Sequence, residues 1–251
     1  MLTVRVIPCL DVRGGRVVKG VRFQALRDAG SPAELAGEYG RQGADEITLL
    51  DVSATPEGRA TRTDTVAEVR RRIALPLTVG GGVRSVEDAA ALLEAGADKV
   101  GVNTAAVERP GLLDELAGRY GRQCTVLAVD AAARDDATWE VVTLSGKNRT
   151  GRDAVEWCGE AAARGAGEIL LTSWDRDGTR RGYDTDLIER VAARVDVPIV
   201  ASGGASSAAH MAAAVQAGAA AVLAASIFHY RRTTVERLKL ELAELGVEVR
   251  R

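Results

Sequence analysis

Two aspartates close apolar runs in this chain: Asp11 follows Ile7-Pro8-Cys9-Leu10, and Asp130 follows Leu127-Ala128-Val129. A carboxylate at the end of a buried strand is either a loop cap held by backbone N–H groups or an acid/base group whose pKa burial can shift. Two of them at equivalent places, facing each other, can work as a general base and a general acid. One must then be kept protonated near neutrality by burial or by the other's charge. Asp51, Asn103, Thr104, Thr172, Ser173, Asp177, Ser202 and Ser226 also end apolar runs, and these short polar groups suit hydroxyls and phosphate oxygens.

Glycine carries the second kind of chemistry. The stretch 75–104 reads as strand, glycine turn (Gly80, Gly81, Gly82), helix and strand. Bare backbone after a strand and before a helix N-terminus lets N–H groups approach an anion, although for one such run alone a tight turn is the better explanation. The stretch 197–226 repeats the pattern. Pro76 recurs as Pro198, Gly81 as Gly203, Gly96 as Gly218 and Val100 as Val222, each 122 positions on; 43–47 likewise returns as 165–169. The chain is therefore read as two similar halves in one order, about 1–122 and 123–251. Two anion sites on one face suit a substrate with a phosphate at each end.

The elements that must position these groups follow from periodicity. Strands are expected at about 3–10, 46–51, 76–80, 99–102, 124–130, 168–173, 198–202 and 221–225. Helical patterns alternate with them, for example at 32–41, 64–73, 86–95, 153–164, 185–194, 208–216 and 234–245. Eight strands alternating with helices, repeated twice, predict a single (β/α)8 barrel over 1–251 in preference to an open doubly wound sheet. Its chemistry belongs at the C-terminal ends of the strands. Residues 12–31 are expected as a long loop with glycines at 14, 15, 20 and 30. They form either a mobile lid that closes Lys19 on a phosphate or a solvated surface loop. A small hairpin arm is expected at 138–143. At the opposite strand ends Arg5, Glu46, Lys99 and Glu168 would meet on the barrel axis, which by itself reads as a structural salt-bridge plug.

Composition narrows the partners. A formal net charge of −2 over 251 residues, with both signs interspersed, supplies no basic field for nucleic acid. No apolar run reaches the roughly 18–20 residues of a membrane span, and the first ten residues lack the layout of a signal peptide. A soluble, cytoplasmic protein is expected. Three scattered cysteines (Cys9, Cys124, Cys158) and two distant histidines (His210, His229) predict free thiols and neither a disulfide framework nor a metal site, and no cofactor is expected.

The segments IPCLDV (7–12), GRVVKG (15–20), LRDAG (26–30), TVGGGVRSVEDA (78–89), GADKV with NTAAVE (96–108), GAGEILLT (165–172), DRDGT (175–179), ASGGA (201–205) and AASIFH (224–229) run in register through essentially the whole chain. They closely resemble the cyclase subunit family of imidazole glycerol phosphate synthase, of histidine biosynthesis. The resemblance implies a (β/α)8 barrel evolved from two half-barrels. It implies an enzyme that takes PRFAR, a bis-phosphorylated ribulosyl carboxamide compound, with ammonia and releases imidazole glycerol phosphate and AICAR. A glutaminase partner docked at the barrel floor, its N-terminal face, would supply the ammonia.

Carried over by resemblance, Asp11 and Asp130 match the catalytic pair, Asp11 as leading base and Asp130 as leading acid. Lys19 matches the lysine of a mobile loop. Gly82, Asn103 and Thr104 match one phosphate site, and Asp177, Gly178, Gly203, Gly204 and Ser226 line the other half. Arg5, Glu46, Lys99 and Glu168 match a charged ring through which ammonia enters, which replaces the plug reading. The chain departs from the family at Gly101 (usually serine), Arg22 (commonly asparagine) and Ala220 (normally aspartate). Two other readings compete. The sister isomerase of the same pathway shares the fold and the paired aspartates, but Cys9, the Lys19-Gly20 pair and AASIFH favour the cyclase. A non-catalytic phosphate-binding barrel would gain little from two carboxylates facing an anion.

Overall fold

The structure is a computed structural model and describes residues 3–21, 24–134 and 137–250, without the side chains at 19, 21 and 24–26. Arg22 lies outside the described residues. Eight parallel strands close on themselves: β1 (Arg5–Arg13), β4 (Ile47–Asp51), β5 (Leu77–Gly80), β6 (Lys99–Val102), β7 (Thr125–Ala133), β10 (Glu168–Ser173), β11 (Ile199–Ser202) and β12 (Ala221–Ala224). Each pairs with the next, and β12 returns to β1 with Arg5 opposite Ala221. The fold is a (β/α)8 barrel.

Alternation along the strands sorts side chains to two faces. In β1, Ile7 and Cys9 join Val126, Leu170, Val200 and Leu223 in a small core inside the barrel. Val6 and Leu10, one position out of phase, belong to the larger core between barrel and helices, with Ile47, Leu49, Val79 and Trp157. Both faces are buried, as an all-parallel sheet requires, so the strands read as nearly continuous apolar runs.

The helices are α1 (Pro32–Arg41), α2 (Thr63–Arg70), α3 (Val86–Glu94), α4 (Thr104–Glu108), α5 (Gly111–Tyr120), α6 (Ala154–Ala163), α7 (Thr185–Ala192), α8 (Ala208–Gln216), α9 (Ser226–His229) and α10 (Val235–Glu244). Their starts are chemically marked. Ser85 and Ser207, 122 positions apart, accept from the Asp88 and His210 backbone N–H groups, and Ser85 with Asp88 completes a capping box. Among the described residues no helix is long and apolar enough to cross a membrane.

One expectation is corrected. Residues 12–31 are mostly not loop but a hairpin continuing from β1, made of β2 (Arg16–Val21) and β3 (Gln24–Gly30). Gly14 and Gly15 take φ of +58° and +77°, the two successive left-handed residues that a tight two-residue turn needs, and Arg13 then pairs with Arg16. β-branched Val17 and Val18 are buried, and the Arg16 guanidinium reaches both Asp28 oxygens at 2.8 and 2.9 Å. The arm at 138–143 is present as β8 (Trp139–Thr143), which pairs with β9 (Asn148–Asp153).

Candidate active site

Asp11 and Asp130 both arise from strands that run past the barrel rim, β1 and β7, and both face the C-terminal mouth. Asp11 is buried, and the Cys9 thiol donates to its Oδ1 at 3.3 Å. Asp130 sits beside Thr172 across the β7–β10 ladder and accepts from Asn103 Nδ2 at 3.0 Å. Its carboxyl is pushed up to about 7, first by burial, then by the charges of Asp177 and Asp11, against the opposing pull of the Asn103 hydrogen bond. A carboxylic acid half-protonated at neutrality is equipped to deliver a proton.

Two adjoining cavities occupy the mouth. The first is lined by Asp11, Asp130, Asp177, Gly178, Gly203, Gly204 and Ser226, and the second by Gly80, Gly81, Gly82, Gly101, Asn103 and Thr104. They share Leu50, Thr55, Gly81, Asn103, Thr104 and Ala128, so one groove spans the mouth with a glycine turn at each end. The turns are alike in detail. Gly81 and Gly203 have φ of +98° and +92°, and Gly82 and Gly204 have +65° and +96°. A Cβ on Gly81 would collide with the Asp51 carbonyl oxygen, and one on Gly203 would lie 2.6 Å from that of Ser173. Only glycine fits there. Opposite each turn a short helix opens with a hydroxyl, Thr104 on α4 and Ser226 on α9. The preceding Asn103 (φ −126°, ψ −89°) and Ala225 (φ −127°, ψ −72°) share one backbone conformation. Among the described residues Asn103 Oδ1 is buried without a hydrogen-bond partner, which leaves it available to a ligand.

Other positions do different work from that expected. Asp51 lines the groove, but its oxygens already accept from Arg59 (2.7 and 2.9 Å), Ser53 N–H and hydroxyl, and Ala54 N–H. It holds its loop and is not open to a substrate hydroxyl. Ser173 turns away to donate to Asp184, the N-cap of α7. Lys19 lies in β2, while its side chain is outside what the structure describes. Residues the sequence did not single out also line the groove: Thr55, whose Oγ1 accepts from Gly82 N–H at 3.0 Å; Leu144 and Ser145 at the hairpin tip; and Arg180. Leu144 N–H donates to Thr104 Oγ1 at 3.1 Å, leaving that hydroxyl's proton for a ligand. The Ser145-Gly146 dipeptide was the available turn signal.

At the other end of the axis the four charges form a closed ring. Arg5 bonds Glu46 at 2.8 Å and Glu168 at 2.6 Å, while Lys99 bonds the same two glutamates at 2.9 Å each. Thr78 donates to Glu46 at 2.6 Å, and Glu46 is only 2 % exposed. Each cation bridges both anions, which is what makes four charges tolerable at this depth.

Strands that deliver two carboxylates to one mouth between a pair of glycine turns define a (β/α)8-barrel enzyme. A family model described as "Histidine biosynthesis protein" matches residues 5–234. The chain is 56 % identical over 251 residues to the imidazole glycerol phosphate synthase subunit HisF of Cutibacterium acnes, covering 99 % of this chain and 100 % of that one. It is 57 % identical over 254 residues to the subunit of the same name from Beutenbergia cavernae (99 % of each), and 53 % identical over 250 residues to that of Gluconacetobacter diazotrophicus (100 % and 97 %). The chain belongs to the histidine biosynthesis protein family, among the HisF subunits of imidazole glycerol phosphate synthase.

Proposed function

We propose that the protein is the cyclase that converts PRFAR and ammonia to imidazole glycerol phosphate and AICAR, by acid/base catalysis with Asp11 and Asp130. The observation that carries this reading is the Asp130 carboxyl, lifted to about 7 in the middle of a groove whose two ends repeat one glycine turn. The groove suits a substrate with a phosphate at each end: one against Gly82, Asn103 and Thr104, the other against Gly203, Gly204 and Ser226, beside Asp177 and Gly178. Lys19 closes from the hairpin. Ammonia adds to the ribulosyl ketone, Asp11 acts as leading base, and Asp130 gives its proton to the departing group before the ring closes. The two carboxyls titrate as a pair, so these roles describe the leading proton path.

Ammonia reaches the mouth from the floor. A glutaminase docks on the N-terminal face, and the Arg5, Glu46, Lys99 and Glu168 ring admits ammonia to the apolar barrel interior, where Ile7, Val126, Leu170 and Leu223 offer no competing hydrogen bond. The chain is one domain of two similar halves, about 1–122 and 123–251, a division supported by the matched turns. The test is incubation with PRFAR and ammonium salt, without any partner. Ammonia-dependent release of imidazole glycerol phosphate and AICAR is expected. Ammonia-independent isomerisation would point to the sister isomerase, and binding without turnover to a non-catalytic barrel.

A further inference from the structure

The two ends of the groove match in backbone but take their cations from different places, Arg84 beside the first glycine turn and Arg180 in the loop over the second. The loop over the first end contains Gly58 (φ +67°), where an added Cβ would meet nothing within 4 Å. Glycine is there for its backbone angle alone. The residue 122 positions on is Arg180, and it holds the same left-handed conformation, φ +61°. A non-glycine residue in that region is strained, and such outliers gather where a side chain is needed at a particular spot.

Arg180 is exposed at the rim and lines the cavity that holds Gly203, Gly204 and Ser226. Its loop is stitched down on both sides. Thr179 N–H and hydroxyl both reach the Arg176 carbonyl, and Gly182 N–H donates to Gly204 O at 2.8 Å, tying the loop to the glycine turn itself. A Cβ on Gly204 would strike the Gly182 carbonyl, so loop and turn are in direct contact. Among the described residues the Arg180 side chain makes no hydrogen bond or ion pair. In the same loop Asp175 accepts from Ala133 N–H and Asp184 caps α7, while Asp177 lines the cavity with Arg180. On a strained and anchored stretch of backbone, Arg180 thus lines the same cavity as Gly203, Gly204 and Ser226.

We propose that Arg180 is the cation of this phosphate site, closing its guanidinium fork over the outer oxygens of the phosphate monoester held by Gly203, Gly204 and Ser226. At the first end Gly58 stands in the equivalent place, and the guanidinium that lines that cavity is Arg84, which donates to the Gly58 carbonyl at 2.7 Å. The assignment deepens the proposed function and takes its phosphate-ended substrate from it.

The test compares wild type with Arg180→Gly, which relieves the backbone strain, and with Arg180→Lys, which keeps the charge but loses the fork. For PRFAR with ammonium salt, Arg180→Gly is expected to raise KM by about tenfold to a hundredfold, the worth of a charge-assisted contact, with kcat within about threefold. Arg180→Lys should fall between. The thermal midpoint should stay level or rise for Arg180→Gly, which separates lost binding from misfolding. An unchanged KM would overturn the assignment while leaving the proposed reaction intact. If wild type turns over no PRFAR, that reaction falls, and titration with inorganic phosphate, read at the Gly203 and Gly204 amides, decides the assignment. Weaker binding by Arg180→Gly sustains it, and equal binding sinks it.

Discussion

Burial and two neighbouring carboxylates hold a proton on Asp130 to about pH 7, and the same forces cost the fold stability. The folded pKa lies above the ordinary 3.8, so the group's stabilising share is fully present below about 3.8 and is lost as pH rises through about 7. Above neutrality the ionised carboxylate costs roughly 2–4 kcal/mol. Asp130→Asn should therefore raise the thermal midpoint by several degrees at pH 8 and by much less at pH 5, as calorimetry at the two values would show. The same proton shapes the rate. Expressed per free ammonia, kcat/KM should decline above about pH 7, and Asp177→Asn, which removes the like charge with the larger effect on Asp130, should move that decline to lower pH. A decline that stays in place would mean that another group sets it.

The glycine turns and the strand ends are where element and site meet. Gly81→Ala forces a Cβ onto the Asp51 carbonyl at a left-handed φ, and a loss of roughly 2–4 kcal/mol is expected in urea unfolding. Gly101→Ser is the contrasting case. A Cβ there lies 3.7 Å or more from its nearest neighbours, an ordinary contact, and stability should change by less than about 0.5 kcal/mol. The strands and the 122-residue correspondence were legible because a doubly buried parallel strand leaves an unbroken apolar run and a required glycine cannot drift. The hairpin within 12–31 is hard to see because scattered glycines suggest a loose loop, whereas the adjacent pair Gly14-Gly15 is itself a tight-turn signal. Asp51 was read as open to substrate because nothing near it in sequence shows that Arg59, eight residues on, folds back to fill its oxygens. Arg180 escaped notice because the strain that marks it is a backbone angle, which composition does not carry.

Across the whole molecule the barrel separates two kinds of charge. At the floor, four alternating charges satisfy one another in a ring; at the mouth, Asp11 and Asp130 lie between two glycine turns. Lys99→Met removes one bridge of the ring and leaves Glu46 and Glu168 facing each other with Arg5 alone, so stability should drop by about 3 kcal/mol, measurable by denaturant unfolding. Its effect on turnover should be larger with glutamine and a glutaminase than with ammonium salt, because only the first route must pass the floor. The measurement closest to the centre of the account is turnover of PRFAR with saturating ammonium salt by wild type, Asp11→Asn and Asp130→Asn, with substrate affinity measured alongside. The two-carboxylate mechanism predicts that both variants still bind PRFAR and lose about 10²–10⁴-fold in kcat. If either keeps its rate within about tenfold of wild type while remaining folded, that aspartate is not the acid or base of this reaction.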